Sequence, residues 1–137
     1  MDGVLLDEGK LTDLADMLAA PPWSNAVMGL STFSGAITHA NPGTDFTSNE
    51  LTFAGYARQA LGGWSTPVLD GSFRAVSTAA PVTFSNSSGS TSASIVSWFF
   101  IDSVGGDVLM ACVFTTPFTI LAADTYSTVP FIRETGI

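Results

Sequence analysis

The chain has 137 residues, of which 46% are hydrophobic and 12% charged, which predicts one domain with its own core and argues against charge-driven disorder. Its net charge of −8 and its four scattered basic residues exclude nucleic acid or an anionic membrane surface as a partner, since both need clustered cations. No apolar run approaches the roughly 18 residues of a membrane-spanning helix. Serine and threonine outnumber charged residues two to one, so hydroxyl groups should dominate the surface.

Residues 1–24 are predicted to form a separate acidic arm that contains a short helix. Half of the net charge falls in the first sixteen residues. Leu11, Leu14 and Leu18 recur at helical spacing, Thr12 or Asp13 would cap the helix, and a Pro-Pro pair ends it. Because a helix of about ten residues is marginal alone in water, its apolar face should pack either on its own domain or on a neighbouring subunit.

Residues 25–137 are predicted to form an antiparallel β-sandwich or barrel-like domain, because short apolar runs alternate with turn residues at intervals of about ten positions. The polar, glycine-containing segment Phe33–Asn49 interrupts this pattern and is predicted to be a long loop. The strand candidates are Ala26–Ser31, Leu51–Ala60, Phe73–Ser77, Val82–Ser85, Ile95–Ile101, Val108–Phe114, Phe118–Leu121 and Thr125–Arg133.

The clearest element is a predicted β-hairpin. Its arms, Ile95–Ile101 and Val108–Phe114, are joined by a short loop that contains Gly105-Gly106. Both arms are apolar on both faces, so both are predicted to lie in the middle of a sheet. Cys112 is the only cysteine, which excludes an internal disulfide, and it is expected to be a small buried hydrophobe.

No catalytic, metal-binding or cofactor-binding site is predicted. His39 is the only histidine, lies in the predicted long loop, and is expected to be exposed. One histidine and one cysteine far apart do not make a zinc site, and no nucleophile motif or glycine-rich phosphate loop is present. Most carboxylates near the loops flank turns, where aspartate caps the backbone. The chain is therefore expected not to be an enzyme.

Three tryptophans are the large anchors of the sequence. Trp98 lies in an apolar run and is predicted to be core. Trp23 and Trp64 stand beside prolines and glycines near the ends of loops. They are expected either at the edge of the core or in an interface pocket.

Two arginines lie in otherwise apolar segments. An arginine in such a position usually finds a carboxylate, either inside the domain or across an interface. For Arg58 and Arg74 the predicted partner is Asp70 or Glu50, and the sequence does not assign either carboxylate to one arginine.

The segment Glu50–Trp64 reads E-LTFAG-YARQALGGW, and a V-x-F strand follows at Val82–Phe84. A hairpin with Gly105-Gly106 and an F-x-x-P strand at Phe114–Pro117 complete the order. This order, over roughly residues 25–132, resembles a family of small tailed-bacteriophage and prophage proteins. The G-Y-A-R-Q-A-L-G-G-W stretch is its most specific part.

The resemblance implies a virion structural protein rather than an enzyme, with a β-sandwich-like domain. The small size and the acidic arm favour a decoration or cement protein on the capsid surface, made in the host cytoplasm, that bridges subunits of the major capsid protein. The alternative is a tail or fibre component, or a receptor-binding module for a glycan. A homo-oligomer is expected, with a trimer as one option. The predicted partner contacts are Leu11, Leu14, Leu18, Trp23, Trp64, Arg58 and Arg74.

Overall fold

The computed structural model describes residues 6–133. The strands form three antiparallel sheets, with orders β2-β1-β6-β7, β3-β4-β9 and β5-β8, which confirms the mainly β prediction and is consistent with a sandwich-like domain. The elements are α1 (Asp7–Ala19), a 3-10 turn (Trp23–Asn25), β1 (Ala26–Ser31), α2 (Thr44–Thr47), β2 (Gln59–Ala60), β3 (Val68–Leu69), β4 (Ala75–Thr78), β5 (Val82–Ser85), β6 (Ile95–Asp102), β7 (Val108–Phe118), β8 (Thr125–Thr128) and β9 (Phe131–Arg133).

Helix α1 begins earlier than its leucine pattern indicated. Because the helix starts at Asp7, Thr12 and Asp13 lie inside it, and the predicted cap is wrong. Asp7 and Glu8 occupy its first turn, where negative charge suits the positive end of the helix dipole. The N-cap residue, Leu6, makes no side-chain cap hydrogen bond.

The apolar face of α1 packs on the β domain of the same chain. Leu14 and Leu18 are buried in the main core, and Leu11 packs against that core in a partly buried position. Outside the core, Lys10 Nζ donates a hydrogen bond to the carbonyl oxygen of Phe73, at 3.3 Å. Of the two options left open by the sequence, the structure shows packing on the helix's own domain.

The predicted β-hairpin is confirmed, but its two arms differ in position. Strand β6 pairs with β1 on one side and β7 on the other, whereas β7 is the last strand of its sheet. Cys112, opposite Trp98 in the β6–β7 register, is exposed. The predictions that β7 lies mid-sheet and that Cys112 is buried are therefore wrong, because strand order is decided by long-range pairing and not by the apolarity of the strand.

The four-stranded sheet has a core on each face. On one face, Leu30 and Phe100 join the main cluster with residues from α1 and the two smaller sheets. On the other face, Phe99 and Ile101 pack against Phe46 of α2, in the long loop. This second layer explains why β6 is apolar on both faces.

Several strand boundaries differ from the predictions. Of the segment Leu51–Ala60 only β2 is a strand, and Thr125–Arg133 is divided into β8 and β9. Strand β7 continues through Pro117, so Phe118–Leu121 is not a separate strand. A proline is tolerated there because β7 is an edge strand, where one missing N–H need not break a ladder.

Candidate interaction surfaces

At the β1 edge of the four-stranded sheet, the backbone groups of β1 are paired by a short strand, a loop and a side chain. Strand β2 pairs only with Val27 and Met28. Farther along β1, the N–H of Leu30 donates to the hydroxyl of Tyr56 at 3.0 Å, and the N–H of Leu51 donates to the carbonyl of Leu30 at 3.1 Å. A side chain and a loop therefore supply the partners that a longer strand would give.

The Tyr56 hydroxyl belongs to a network around Glu50. It donates to Glu50 Oε2 at 2.6 Å. Arg58 donates to the same carboxylate from two nitrogens, Nε at 3.0 Å from Oε2 and Nη2 at 2.8 Å from Oε1. The Arg58 guanidinium also lies 5.7 Å from the ring centroid of Phe99. The predicted pairing of Arg58 with a carboxylate is confirmed. We call these three residues the Glu50 network.

Burial and hydrogen bonding shift the titration of two members of this network. Burial, and then the hydrogen bond to Glu50, raise the pKa of Tyr56 above its ordinary value. The hydrogen bond to Glu50 raises the pKa of Arg58. The network is thus held as a neutral phenol beside a carboxylate–guanidinium pair.

A second network centres on Asp70 at the predicted turn. Its Oδ1 accepts the backbone N–H groups of Ser72, at 2.8 Å, and Arg74, at 3.0 Å. Its Oδ2 accepts from the side chains of Arg74 and Arg133, at 3.2 and 3.0 Å. The Arg74 backbone N–H is the largest cause that holds the pKa of Asp70 below its ordinary value. The prediction that Arg74 pairs with Asp70 or Glu50 is confirmed, with Asp70 as the partner, and Asp70 also joins the turn to β9.

All four basic residues are paired with carboxylates of the same chain. Besides the arginines of the two networks, Lys10 Nζ lies 3.3 Å from Asp7 Oδ1. The three arginine side chains stay 37–40% exposed, so a partner would meet neutralised cations as well as hydroxyls, apolar side chains and carboxylates. The exposed carboxylates outside these pairs include Glu8, Asp13, Asp16, Asp107 and Asp124.

An apolar cleft of about 280 Å³ lies beside α1. It brings together Leu14 and Trp23, two of the predicted partner contacts, with Met17, Met110 and Ile132. Only Met17 of these is exposed. The other predicted contacts lie elsewhere: Leu11 and Leu18 with the core, Trp64 half-buried against it, Arg58 in the Glu50 network and Arg74 beside Asp70.

The outer face of the three-stranded sheet exposes apolar side chains that the sequence reasoning did not single out. Val68 of β3 is 61% exposed, and Phe131 of β9 is 47% exposed while its neighbour Ile132 is buried. Nearby in the chain, Phe73 is 66% exposed and holds a φ of 58°, a left-handed conformation that is costly for an aromatic residue. The alternation of exposed and buried side chains along Phe131–Arg133 indicates this exposed face.

A hydroxyl-lined cleft separates residues 48–53 from residues 88–93. Several of its polar groups are already bonded within the chain. Thr32 Oγ1 donates to the carbonyl of Asn49, and Ser88 Oγ donates to Asn86 Oδ1. Asn86 is 1% exposed and its Nδ2 donates to the carbonyls of Ser90 and Ile120, so this side chain fixes the loop that follows β5.

Within residues 6–133, no three histidine, cysteine or carboxylate side chains come together as a metal-binding group. No helix in the same range has the length and apolarity needed to cross a membrane. His39 is exposed, as expected.

Residues 19–131 match the family model described as "Podophage GP4 fiber I protein gp80", and because the match covers most of the chain, the protein belongs to that family. It is thus a structural protein of a phage virion. No curated protein and no solved structure matches the chain. The matched range begins at the last residue of α1 and contains the Glu50 network, Asp70 and all of β7.

Proposed function

We propose that this chain is a structural subunit of a fibre on a podophage virion, present in several copies, that works by packing against other subunits rather than by chemistry. The family match over residues 19–131, with its printed description as a fiber protein, is the observation that carries this proposal. Of the alternatives raised by the sequence, it favours the fibre over the capsid.

The surface chemistry supports a packing role. Every arginine and the single lysine are paired within the chain, so few cations would have to lose water when a neighbour docks. Exposed apolar side chains such as Val68, Phe131 and Val113 offer area whose burial is favourable at about 25 cal/mol per Å² before ordering costs.

The test is to locate the chain on the particle. Phage carrying an epitope tag at the C-terminus of this chain would be examined by immunogold labelling, and phage lacking the chain by cryo-electron microscopy. We expect gold on fibres and loss of fibre density without this chain. Gold spread over the shell with fibres intact would contradict the proposal.

A role as a capsid decoration protein that bridges major capsid subunits is the second candidate. Its supporting observation is the outward acidic surface of α1, with Glu8, Asp13 and Asp16 exposed, which suits a basic patch on a lattice. The same gold labelling separates the two candidates, because a decoration protein would label the shell.

Glycan recognition at a fibre tip is a third candidate, supported by the hydroxyl-lined cleft at residues 48–53 and 88–93. Two aromatic side chains that could stack on a sugar are engaged elsewhere, since Tyr56 belongs to the Glu50 network and Trp64 packs against the core. Binding of the purified chain to a glycan array, lost in Thr52→Ala or Thr91→Ala, would support it.

A further inference from the structure

Phe73 is an exposed aromatic residue in a strained position. Its side chain is 66% exposed, and its φ of 58° lies in the left-handed region, which a bulky residue rarely adopts. Glycine would take the same conformation without a steric cost. In a single copy of the chain, the ring therefore buries little apolar area that could offset the backbone strain.

The turn that carries Phe73 is fixed by hydrogen bonds on both sides of the ring. The Phe73 N–H donates to the Asp70 carbonyl at 3.0 Å, and the Asp70 N–H donates to the Arg74 carbonyl at 2.9 Å. The Asp70 carboxylate accepts the backbone N–H groups of Ser72 and Arg74. From α1, Lys10 Nζ donates to the Phe73 carbonyl at 3.3 Å. Strained residues persist where surrounding contacts fix them, and they cluster at functional sites. The turn thus holds an exposed ring in a fixed place.

The apolar cleft beside α1 has the chemistry to receive such a ring. Met17 and Met110 bring thioethers, which make favourable contacts with aromatic rings and adapt to their shape. Trp23 adds an aromatic surface, and it is the only aromatic residue of the described range that lines the cleft. Phe73 does not line the cleft of its own chain.

The cleft and the Phe73 turn are neighbours on the surface. Arg133 lines the cleft, and its Nε donates to Asp70 Oδ2 in the turn at 3.0 Å. Helix α1 also joins them, since Lys10 contacts the Phe73 carbonyl and Leu14, one helical turn later, lines the cleft. In a two-fold contact each copy uses the same surface, so a ring and a cleft side by side can both be used at once.

We propose that two copies of this chain pair about a two-fold axis, with Phe73 of each copy seated in the apolar cleft of the other. The pairing deepens the fibre role, and its place in the virion rests on that proposed function. The pairing itself is a property of the purified chain and is tested without the virion.

Charge favours a second copy as the occupant of the cleft. A chain with a net charge of −8 repels its own copy over most of its surface. Three of its four basic residues, Lys10, Arg74 and Arg133, lie around the turn and the cleft, so this repulsion is weakest there. Asp13 lines the cleft. The contact therefore brings the ammonium group beside each ring towards a carboxylate of the other copy.

The seated ring would be the main anchor of the pair. Aromatic residues that fill apolar pockets are the usual hot spots of interfaces. Removal of the Phe73 ring should therefore weaken association. Replacement by glycine should also leave the fold at least as stable, because it relieves the left-handed strain. A purely structural role of Phe73 would not give this combination of effects.

The first test measures association and stability of the purified full-length chain. Analytical ultracentrifugation over a range of concentrations should show a dimer, and Phe73→Gly should raise its dissociation constant at least about tenfold. At a concentration where the wild type is monomeric, the urea midpoint of Phe73→Gly should be no lower than that of the wild type. Leu121→Ala removes an apolar side chain that is 59% exposed elsewhere, and it should leave the dissociation constant within about threefold.

The second test blocks the cleft. Met17→Lys places a charge in the cleft at an exposed position of α1 and should raise the dissociation constant at least about tenfold. Thr12→Lys makes the same change of charge at an exposed position of α1 outside the cleft, and it should dimerise as the wild type does. An equimolar mixture of Phe73→Gly and Met17→Lys should associate more strongly than either variant alone, because one intact ring meets one intact cleft.

A wild-type chain that stays monomeric overturns the proposal. So does a mixture of the two variants that associates no more strongly than each alone. Circular dichroism checks that the variants fold. Where Met17→Lys does not, p-benzoylphenylalanine in place of Phe73 decides, since its photo-cross-links between copies should fall on Met17 or Met110. Cross-links elsewhere on the second copy reject the cleft.

The virion separates the pairing from the fibre role. Gold labelling of fibres together with a monomeric purified chain would keep the fibre role and reject the pairing. If phage carrying Phe73→Gly then lacked fibres, the ring would belong to a contact with a different fibre subunit. A dimeric chain whose gold label lies on the shell would keep the pairing and reject the fibre role.

Discussion

At the β1 side of the four-stranded sheet, a two-residue strand, a loop and the Tyr56 hydroxyl occupy backbone groups, whereas at the β7 side no strand of residues 6–133 pairs. The closed side uses partly exposed polar groups that are bonded to one another. The open side is uncharged and apolar. The contrast shows that residues 6–133 complete one edge of the sheet and leave the other without a strand partner.

Tyr56→Ala should give the largest effect on stability. The Tyr56 ring is half-buried and stacks on Phe84 with centroids 6.0 Å apart, so its removal leaves a cavity and an unpaired Leu30 N–H. We expect the free energy of unfolding in urea to fall by about 2–4 kcal/mol. Val113→Ala at the open edge should cost less than about 1 kcal/mol. Equal losses at the two edges would contradict this comparison.

Glu50→Gln should give an intermediate effect. The change keeps the shape of the side chain but removes the charge that Arg58 and Tyr56 share. We expect a loss of about 1 kcal/mol, limited by the partial exposure of Arg58. Asp107→Asn, beside the open edge, is the control and should change the melting temperature little. An unchanged melting temperature in Glu50→Gln would show that the network does not stabilise the closed edge.

The loss of folding stability at alkaline pH should depend on Tyr56. The pKa of Tyr56 is raised in the folded state. Its contribution to the free energy of unfolding is therefore complete below the ordinary tyrosine pKa of about 10 and is lost as the pH rises above that value. The free energy of unfolding should therefore fall more steeply above about pH 10 in the wild type than in Tyr56→Phe. Parallel curves for the two proteins would indicate that burial of this phenol is not linked to folding.

Cys112→Ser should give the smallest effect. Because Cys112 is exposed on the open edge, we expect a change of less than about 0.5 kcal/mol in the free energy of unfolding. In dilute solution the native thiol should react with a disulfide reagent at nearly the rate of the unfolded chain. A reaction that requires global unfolding would mean that the edge is covered.

The sequence predicted much of the fold. The hairpin of β6 and β7, the strand Val82–Ser85 and the turn at Asp70-Gly71 follow from local patterns of apolar and turn residues. A carboxylate partner for Arg58 and Arg74, either Glu50 or Asp70, was predicted because a cation in an apolar segment needs a carboxylate, and the structure decided which arginine takes which. These features depend on interactions that are short in sequence or fixed by chemical type.

Other features could not be predicted from the chain alone. The helix boundary at Asp7 was missed because a leucine pattern marks a face and not an end. The role of the Tyr56 hydroxyl was missed because it serves Leu30, 26 positions away. The predicted partner contacts do not form one surface, because these residues lie in the core, the apolar cleft and the two networks.

By itself, the sequence determined a mainly β domain with few cations, a short helix and a hairpin of two apolar strands, because strand and turn propensities are local. Only the tertiary structure decided that β6 is enclosed and β7 is an edge, although the two are similarly apolar. The physical reason is that apolar side chains favour burial of a strand but do not specify which part of the fold covers it.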